Sequence, residues 1–373
     1  MSNAPDNPQP APPPPGGPQS DRPALLEMTL PQLRAAAEQF GQKPYRADQL
    51  ADWVYHKGVA DPAEMTNVPN AFAKQFDILT SRIAGRTDST DGTIKLLIAL
   101  ADGEHVETVL IPAGDRATAC VSTQAGCAMG CRFCASTLGG LRRNLSAEEI
   151  LQQLLHLRAA GGRRITNVVF MGMGEPLANY NATVSAVRAI VDPDRFGLSA
   201  RHVTVSTLGL PAKIRRLARE DLPITLAISL HAPNDTLRRE LIPAAAATTL
   251  EQILAAAEKF YQARHREVTL EYLLLAGVND TNLCADGLGR IAKRLRCNVN
   301  LIRYNPVEGL PYQRPSQTRV DNFAGRLRRA GVNAHIRRSR GLDASAACGQ
   351  LRRQVSASQE LGTGDVPPAG NQE

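Results

Sequence analysis

Hydrophobic positions change their period along this chain, and the change divides it. Between Pro23 and about Ile83, apolar residues recur at three- and four-residue spacing in LPQLRAAAEQF (30–40), YRADQLADWVYHKG (45–58) and NAFAKQFDIL (70–79), with Pro, Gly or Asn between them. That spacing predicts short amphipathic helices and a small helical accessory domain over 23–85. Thr93–Leu100 and His105–Pro112 flank an Ala-Asp-Gly turn and read as a strand pair, a link over 86–115. From Ala117 onward strands and helices alternate. Candidate strands are ACVSTQ (119–124), ITNVVFMG (165–172), HVTVSTLG (202–209), ITLAISLH (224–231), EVTLEYLLL (267–275) and NVNLIRYN (298–305). One helix begins at Ser146, with Glu149 three residues on as a capping box. Others are NATVSAVRAIV (181–191), AKIRRLARE (212–220), LEQILAAAEKFYQA (250–263) and CADGLGRIAKRL (284–295). Six strands with helical crossovers predict a parallel, right-handed sheet. Functional-looking residues at strand ends favour an α/β fold of partial (β/α)6 TIM-like barrel type over 116–345.

Composition adds the ends. Nine of the 25 prolines lie in the first 23 residues, so 1–22 reads as a disordered arm. Residues 356–373 are polar and Gly/Pro-bearing and read the same way. No apolar run approaches the ~20 residues of a membrane helix, and the N-terminus is neither a signal nor a transit peptide. The chain therefore reads as cytoplasmic, not membrane-bound, and its seven cysteines in 373 residues are too few for a disulfide scaffold. Charge is unevenly placed. Between Arg319 and Arg353 nine arginines face two acids, Asp321 and Asp343, and this window holds the whole net charge of +7. A concentrated arginine surface suits a phosphate-bearing partner, while a solvated helix face explains it equally well.

The chemistry centres on Cys127-Ala-Met-Gly-Cys131-Arg-Phe-Cys134, just beyond the first barrel strand. Three thiolates from one loop, with no nearby fourth Cys or His, suit a [4Fe–4S] cluster with one iron open better than structural zinc. An open iron can chelate the amino and carboxylate groups of S-adenosylmethionine (SAM), whose reductive cleavage gives a 5′-deoxyadenosyl radical. The competing reading is a zinc-stabilised RNA-binding protein without catalysis. Gly174 and Glu175 end the second strand, Ser206 the third, Ser229-Leu230-His231 the fourth, and Asn305 follows the last. Strand ends are where barrel sites are built, although isolated Ser and Asn there also serve turns. Cys284 and Cys297 read as packing. Cys348, in a tail over 346–355, stands among arginines, where a thiol reads as a nucleophile.

The stretches RATACVSTQAGCAMGCRFCAST, GGLRRNLSAEEI, NVVFMGMGEPLANY, SLHAPND, NLIRYNPVEGLPY and SRGLDASAACGQL resemble the RlmN family of dual-specificity 23S rRNA and tRNA adenine-C2 methyltransferases, within the radical SAM superfamily. The likeness runs from about Arg116 to Gln350, and the helical region resembles the family's RNA-binding domain. Asp343-Ala344-Ser345 and Leu208 depart from the family pattern without touching a proposed ligand. The resemblance implies that Cys127, Cys131 and Cys134 hold the cluster. It also implies that Gly174, Glu175, Ser206, Ser229, Leu230, His231 and Asn305 hold SAM. Cys348 would be the methyl carrier, consuming two SAM per product. Glu107 would remove the C2 proton, and Cys120 would release 2-methyladenosine by forming a transient disulfide bond with Cys348. Implied partners are 23S rRNA, tRNA and an electron donor such as flavodoxin or ferredoxin, with the chain a monomer. A Cfr-type C8 methyltransferase is the nearest rival. Arg337, Arg338 and Arg340 are the expected RNA contacts.

Overall fold

The computed structural model describes residues 22–352, so nearly all of the Pro-rich arm and the end from residue 353 lie outside the described residues. Helices α1 (Leu30–Gln39), α2 (Tyr45–Ala51) and α3 (Asn70–Ala73) form the helical region, α2 running on into a π-helical turn over Asp52–Lys57. Leu25, Leu33, Leu50, Val54 and Phe72 are buried among them, as the spacing requires.

A ten-stranded sheet follows. Strands β1 (Arg82–Asp88), β2 (Ile94–Ala99), β3 (His105–Ala113) and β4 (Arg116–Cys120) form an antiparallel meander. From β4 the sheet continues in parallel through β7 (Asn167–Phe170), β8 (Val203–Thr207), β9 (Thr225–Ser229), β10 (Val268–Leu274), β11 (Cys297–Arg303) and β12 (Ala334–Arg337). A separate hairpin, β5 (Gln124–Gly126) with β6 (Leu141–Asn144), brackets the cysteine loop. Connecting helices are α4 (Ala147–Gly161), α5 (Tyr180–Val191), α6 (Pro211–Leu217), α7 (Asp235–Leu241), α8 (Leu250–Arg264), α9 (Asn282–Ala292) and α10 (Gln317–Arg329). Ser146 caps α4 as expected: its Oγ accepts from the Glu149 amide at 3.0 Å, and the Glu149 carboxylate accepts from the Ser146 amide at 2.9 Å.

The parallel set among the described residues has seven strands rather than six, because β12 was not apparent in the pattern. Nor were β1, the β5–β6 hairpin, α7 and α10. The stretch 119–124 is not one strand: β4 ends at Cys120 and the chain bends before β5. The antiparallel strands do not stand apart as a link, since β3 pairs with β4 and extends the barrel sheet.

Register assigns the two faces. On one, Ala119, Val168, Phe170, Val205, Leu226, Ile228, Leu270, Tyr272, Val299 and Leu301 are almost wholly buried. Each of the larger side chains contributes roughly 1.5–3 kcal/mol by leaving water. On the other stand Thr118, Cys120, Asn167, Thr204, Ser206, Thr225, Ser229, Glu271, Asn300 and Arg337, mostly half-buried. The sheet does not close, β1 and β12 being its edges. A closed barrel fills its interior with apolar side chains; this open one leaves a polar concave face for a ligand.

The helical region docks on α4. Arg158 donates to the Tyr55 carbonyl at 3.1 Å and to that of His56. Gln152 accepts from the Ser81 amide at 2.9 Å, and the Ser81 hydroxyl also meets His156 Nε2 at 2.9 Å. No helix among the described residues is long and apolar enough to cross a membrane.

Candidate active site

The cysteine loop leaves β5 at Gly126 and returns at β6. Gly126 has φ +82°, and a Cβ there would stand 1.9 Å from the Gly140 carbonyl, so the hairpin closes only around glycine. Within the loop, the Cys134 amide donates to the Cys131 carbonyl at 3.1 Å, and Thr137 Oγ1 donates to the Cys134 carbonyl at 2.9 Å. Outside it, the Arg132 amide donates to Leu241 at 3.0 Å and the Ala244 amide to Met129 at 3.3 Å. The loop thus rests on α7 and the turn after it.

Cys127, Cys131 and Cys134 line a cavity of about 160 Å³ at the C-terminal ends of the parallel strands. Burial raises all three, Cys127 up to about 11, and Cys134 adds to the rise at Cys127 and Cys131. Three thiols crowded around one cavity need a cation among them before they can ionise together. Such a donor set fits a thiolate-bound cluster. Among the described residues no group of three or more His, Cys, Asp or Glu side chains is placed to hold a single metal ion.

Gly174, Glu175, Ser206, Ser229, His231, Arg337 and Cys348 line the same cavity. Gly174 has φ +100°, and a Cβ there would meet that of Gln124 at 2.6 Å. Glu175 is 3 % exposed; its oxygens accept from the Leu177 amide at 3.0 Å and the Leu208 amide at 2.8 Å. Burial raises its pKa against those donors. Ser206 and Ser229 bring their hydroxyls within 3.3 Å. His231, at φ +58°, accepts from the Leu273 amide through Nδ1 at 3.0 Å. Burial pushes its pKa down to about 3, so the ring is neutral with its proton on Nε2.

Six of the expected residues stand elsewhere. Leu230 is fully buried, its amide given to the Glu271 carbonyl and its own carbonyl taken by Arg238. Asn305 spends its amide on the tail: Nδ2 donates to the Cys348 carbonyl at 3.2 Å, and Oδ1 accepts from Ser339 at 2.9 Å. It does not line the cavity, and its amide meets the tail that carries Cys348. Cys120 lies on the concave face, within electrostatic reach of Cys348 and Arg337, and burial pushes it up to about 12. Glu107 lies outside the cavity and is 4 % exposed. Its Oε1 pairs with Lys95 at 2.9 Å, and Oε2 accepts from the Arg352 amide at 2.7 Å. Burial raises its pKa, with Lys95 opposing. Arg338 is exposed on the outer surface, and Arg340 reaches Asp91 at 3.9 Å.

One expectation needs correction and another finds no support. Arg337 is not part of an outward arginine surface. It turns onto the concave face, 3.6 Å from the buried Glu271 carboxylate, with Cys348 and Cys120 within electrostatic reach. The disulfide bond between Cys120 and Cys348 is not formed here, since all seven cysteines are free. Lys95, Arg238, Glu271 and Arg352 were missed. Glu271 stood at the same strand parity as Thr269, and Arg238 on the apolar stripe of α7 three residues before Leu241. Both signals were present in the sequence.

An open parallel sheet whose mouth carries a loop of three cysteines defines a radical SAM protein. Residues 121–285 match the radical SAM superfamily, and residues 24–78 match the ribosomal RNA large subunit methyltransferase N-terminal domain. A radical SAM methyltransferase of Sphaerobacter thermophilus superposes with a TM-score of 0.85 at 43% identity, covering 89% of this chain and all of that one. The chain is 48% identical over 332 residues to a probable dual-specificity RNA methyltransferase RlmN of Thermosynechococcus vestitus, covering 88% of this chain and 98% of the relative. A relative of the same description from Gloeobacter violaceus is 46% identical, over 88% and 95%. The chain belongs to the RlmN family of radical SAM RNA methyltransferases.

Proposed function

We propose that this enzyme converts adenosine to 2-methyladenosine in 23S rRNA and in tRNA, with Cys348 as the methyl carrier. The observation that supports this most is the meeting of Cys348 with Cys127, Cys131 and Cys134 around one cavity, with Cys120 and Arg337 in electrostatic reach of Cys348. Adenine C2 is a poorly nucleophilic carbon, so a relay through a protein sulfur answers a chemical need that direct transfer does not. Cys127, Cys131 and Cys134 would hold a [4Fe–4S] cluster, and Glu175, Ser206, Ser229 and His231 would hold SAM. Bound there, these groups supply a methyl group and a hydrogen-abstracting radical.

The family likeness assigns the protein's own part to Cys348, Glu107 and Cys120. Cys348, held to the mouth by Asn305, accepts the methyl group, and that carbon bonds to C2 once one of its hydrogens has been abstracted. The family likeness makes Glu107 the acceptor of the C2 proton; it stands outside the cavity at rest, held by Lys95 and the Arg352 amide, so this role requires the tail to shift. The adduct gives its unpaired electron back to the oxidised electron carrier, and Cys120 attacks the Cys348 sulfur. The S–S bond forms as the S–C bond breaks and the product carbon takes up a proton, so the disulfide belongs to turnover and not to the resting protein. The adenosine reaches the cavity as a nucleotide turned out of its stack.

Anaerobic reconstitution with rRNA fragments and tRNA, followed by mass spectrometry of digested nucleosides, tests this reading. It expects 2-methyladenosine; 8-methyladenosine alone, or no methylated base, overturns it. Cys348→Ala abolishes transfer with the iron content unchanged, and Cys120→Ala accumulates a covalent RNA–protein adduct. Turnover by Cys120→Ala without an adduct counts against the two-cysteine relay.

A further inference from the structure

Arg238 heads the largest fully buried side chains, 1 % exposed, and no step of the proposed reaction uses it. A guanidinium inside a protein is costly unless an anion answers it. Here Nε donates to the Leu230 carbonyl at 3.3 Å and Nη2 to the Leu208 carbonyl, and among the described residues no carboxylate is ion-paired with it. The nearby acids are engaged elsewhere. Glu175 accepts from the Leu177 and Leu208 amides, and Asp235 accepts from the Leu250 amide at 2.7 Å. The folded chain therefore leaves a buried cation with neutral hydrogen-bond partners and no paired countercharge.

Its position says what answers it. Arg238 stands on α7, and the end of α7 with the turn after it carries the cysteine loop on both sides of Cys131, through the Arg132–Leu241 and Ala244–Met129 hydrogen bonds. Cys131, Asp235 and Glu175 are all within electrostatic reach of the guanidinium. Leu208 and His231 line the cavity, and Arg238 does not. The cation sits behind the cluster loop, out of contact with whatever the cavity holds.

We propose that Arg238 is the internal countercharge of the centre held by Cys127, Cys131 and Cys134, raising that centre's reduction potential. The proposal rests on reading those cysteines as cluster ligands. Reduction by one electron adds a negative charge to a site already rich in thiolate. A fixed positive charge nearby stabilises the reduced form more than the oxidised one, and burial leaves that attraction poorly screened. The two carbonyl contacts hold the guanidinium in place at the ends of β8 and β9.

The test is a redox titration of the reconstituted protein followed by electron paramagnetic resonance, with iron analysis, for the parent, Arg238→Gln and Arg238→Lys. Arg238→Gln is expected to keep its iron and to become harder to reduce by about tenfold in the equilibrium, ~59 mV for one electron. Arg238→Lys keeps the charge and stays near the parent, and the difference is the same with and without SAM. An iron-loaded Arg238→Gln with the parental potential overturns the proposal. So does a lysine variant displaced as far as glutamine, which would make the arginine only a brace for two carbonyls. A parental potential with weakened SAM binding overturns it in favour of a SAM contact. If Arg238→Gln loses the cluster, the lysine variant decides alone: cluster retained at the parental potential supports the countercharge, and loss refutes it. A parent that binds no cluster refutes the cofactor reading itself, a separate result.

Discussion

Glu107 shows how much one buried carboxylate depends on its neighbours. Leu97 of β2 lies opposite it and Lys95 two residues along, so strand alternation brings Lys95 to the same face. Burial raises the Glu107 pKa and Lys95 opposes that. An acceptor must be ionised, so methyl transfer is expected to rise with pH through a value above the ordinary glutamate range. Lys95→Met should move that limb to higher pH in a kcat/KM profile; no movement, or movement to lower pH, argues against Glu107 as the acceptor. Stability runs the other way: the unfolded chain loses this proton first, so the contribution falls as pH climbs from the ordinary range to the folded value. Arg337 and Glu271 make a second case. Glu271 Oε2 has no hydrogen-bond partner, and Arg337 is its nearby cation at 3.6 Å. Arg337→Met is expected to cost about 1–3 kcal/mol in urea unfolding, less than a fully buried pair because its side chain is 34 % exposed. Adding Glu271→Gln should recover most of that loss, and equal losses in single and double variants would show that the charge pair is not the cause.

Among the elements, the tail loop that carries Cys348 is tied at both ends. Asp343 accepts from the Ser89 hydroxyl and from the Thr90 amide at 2.9 Å, and the Gly341 amide donates to Asp91 at 3.1 Å. Further on, the Ala135 amide donates to the Gly349 carbonyl at 2.8 Å and Ser136 to that of Leu351 at 2.7 Å. The loop bridges the β1–β2 turn and the cysteine loop, and so brings Cys348 to the cavity. Ser89 and Thr90 hold Asp343 down to about 2, so the anchor persists through neutral and mildly acidic pH and is lost only as pH falls towards that value. Asp343→Ala is expected to speed amide hydrogen exchange over 341–350 while β8 and β9 stay protected. Unchanged exchange would mean the other ties suffice. The missed helix α10 belongs at this scale too. Val320, Phe323, Ala324 and Leu327 are buried at helical spacing, a pattern that its arginines obscured.

Over the whole molecule, the arginine-rich segment divides into charges that the fold uses and charges that it displays. Arg319 and Arg326 pair with Asp280 and Asp286, Arg337 with Glu271, Arg340 with Asp91 and Arg352 with Glu308. Arg328, Arg329 and Arg338 are exposed and without an ion pair among the described residues; Arg328 donates to the Ala334 carbonyl at 3.0 Å, which leaves Arg329 and Arg338. Phosphate binding draws on unpaired cations, so these two are the better candidates for RNA contact. The pair Arg329→Glu with Arg338→Glu is expected to weaken RNA binding and reduce its salt slope by about one for each phosphate no longer neutralised. Arg319→Glu with Arg326→Glu should change the slope less, and the reverse order in a salt titration would refute the division.

What the chain determined by itself was whatever is local. Helical spacing in α1 and α8, the Ser146–Glu149 cap, the alternating strands and the Cys127–Cys134 spacing all arise from contacts within a few residues, and so did the fold class and the cysteine loop. Tertiary structure decided what distant segments do to one another. It turned Arg337 inward against Glu271, spent Asn305 on the Cys348 carbonyl, and set Lys95 and the Arg352 amide on Glu107. It also buried Arg238 behind the cysteine loop. Burial and charge pairing depend on which strands become neighbours, and that is settled only when the sheet assembles. A run of arginines reads the same in sequence whether its charges face water, a carboxylate or a cysteine.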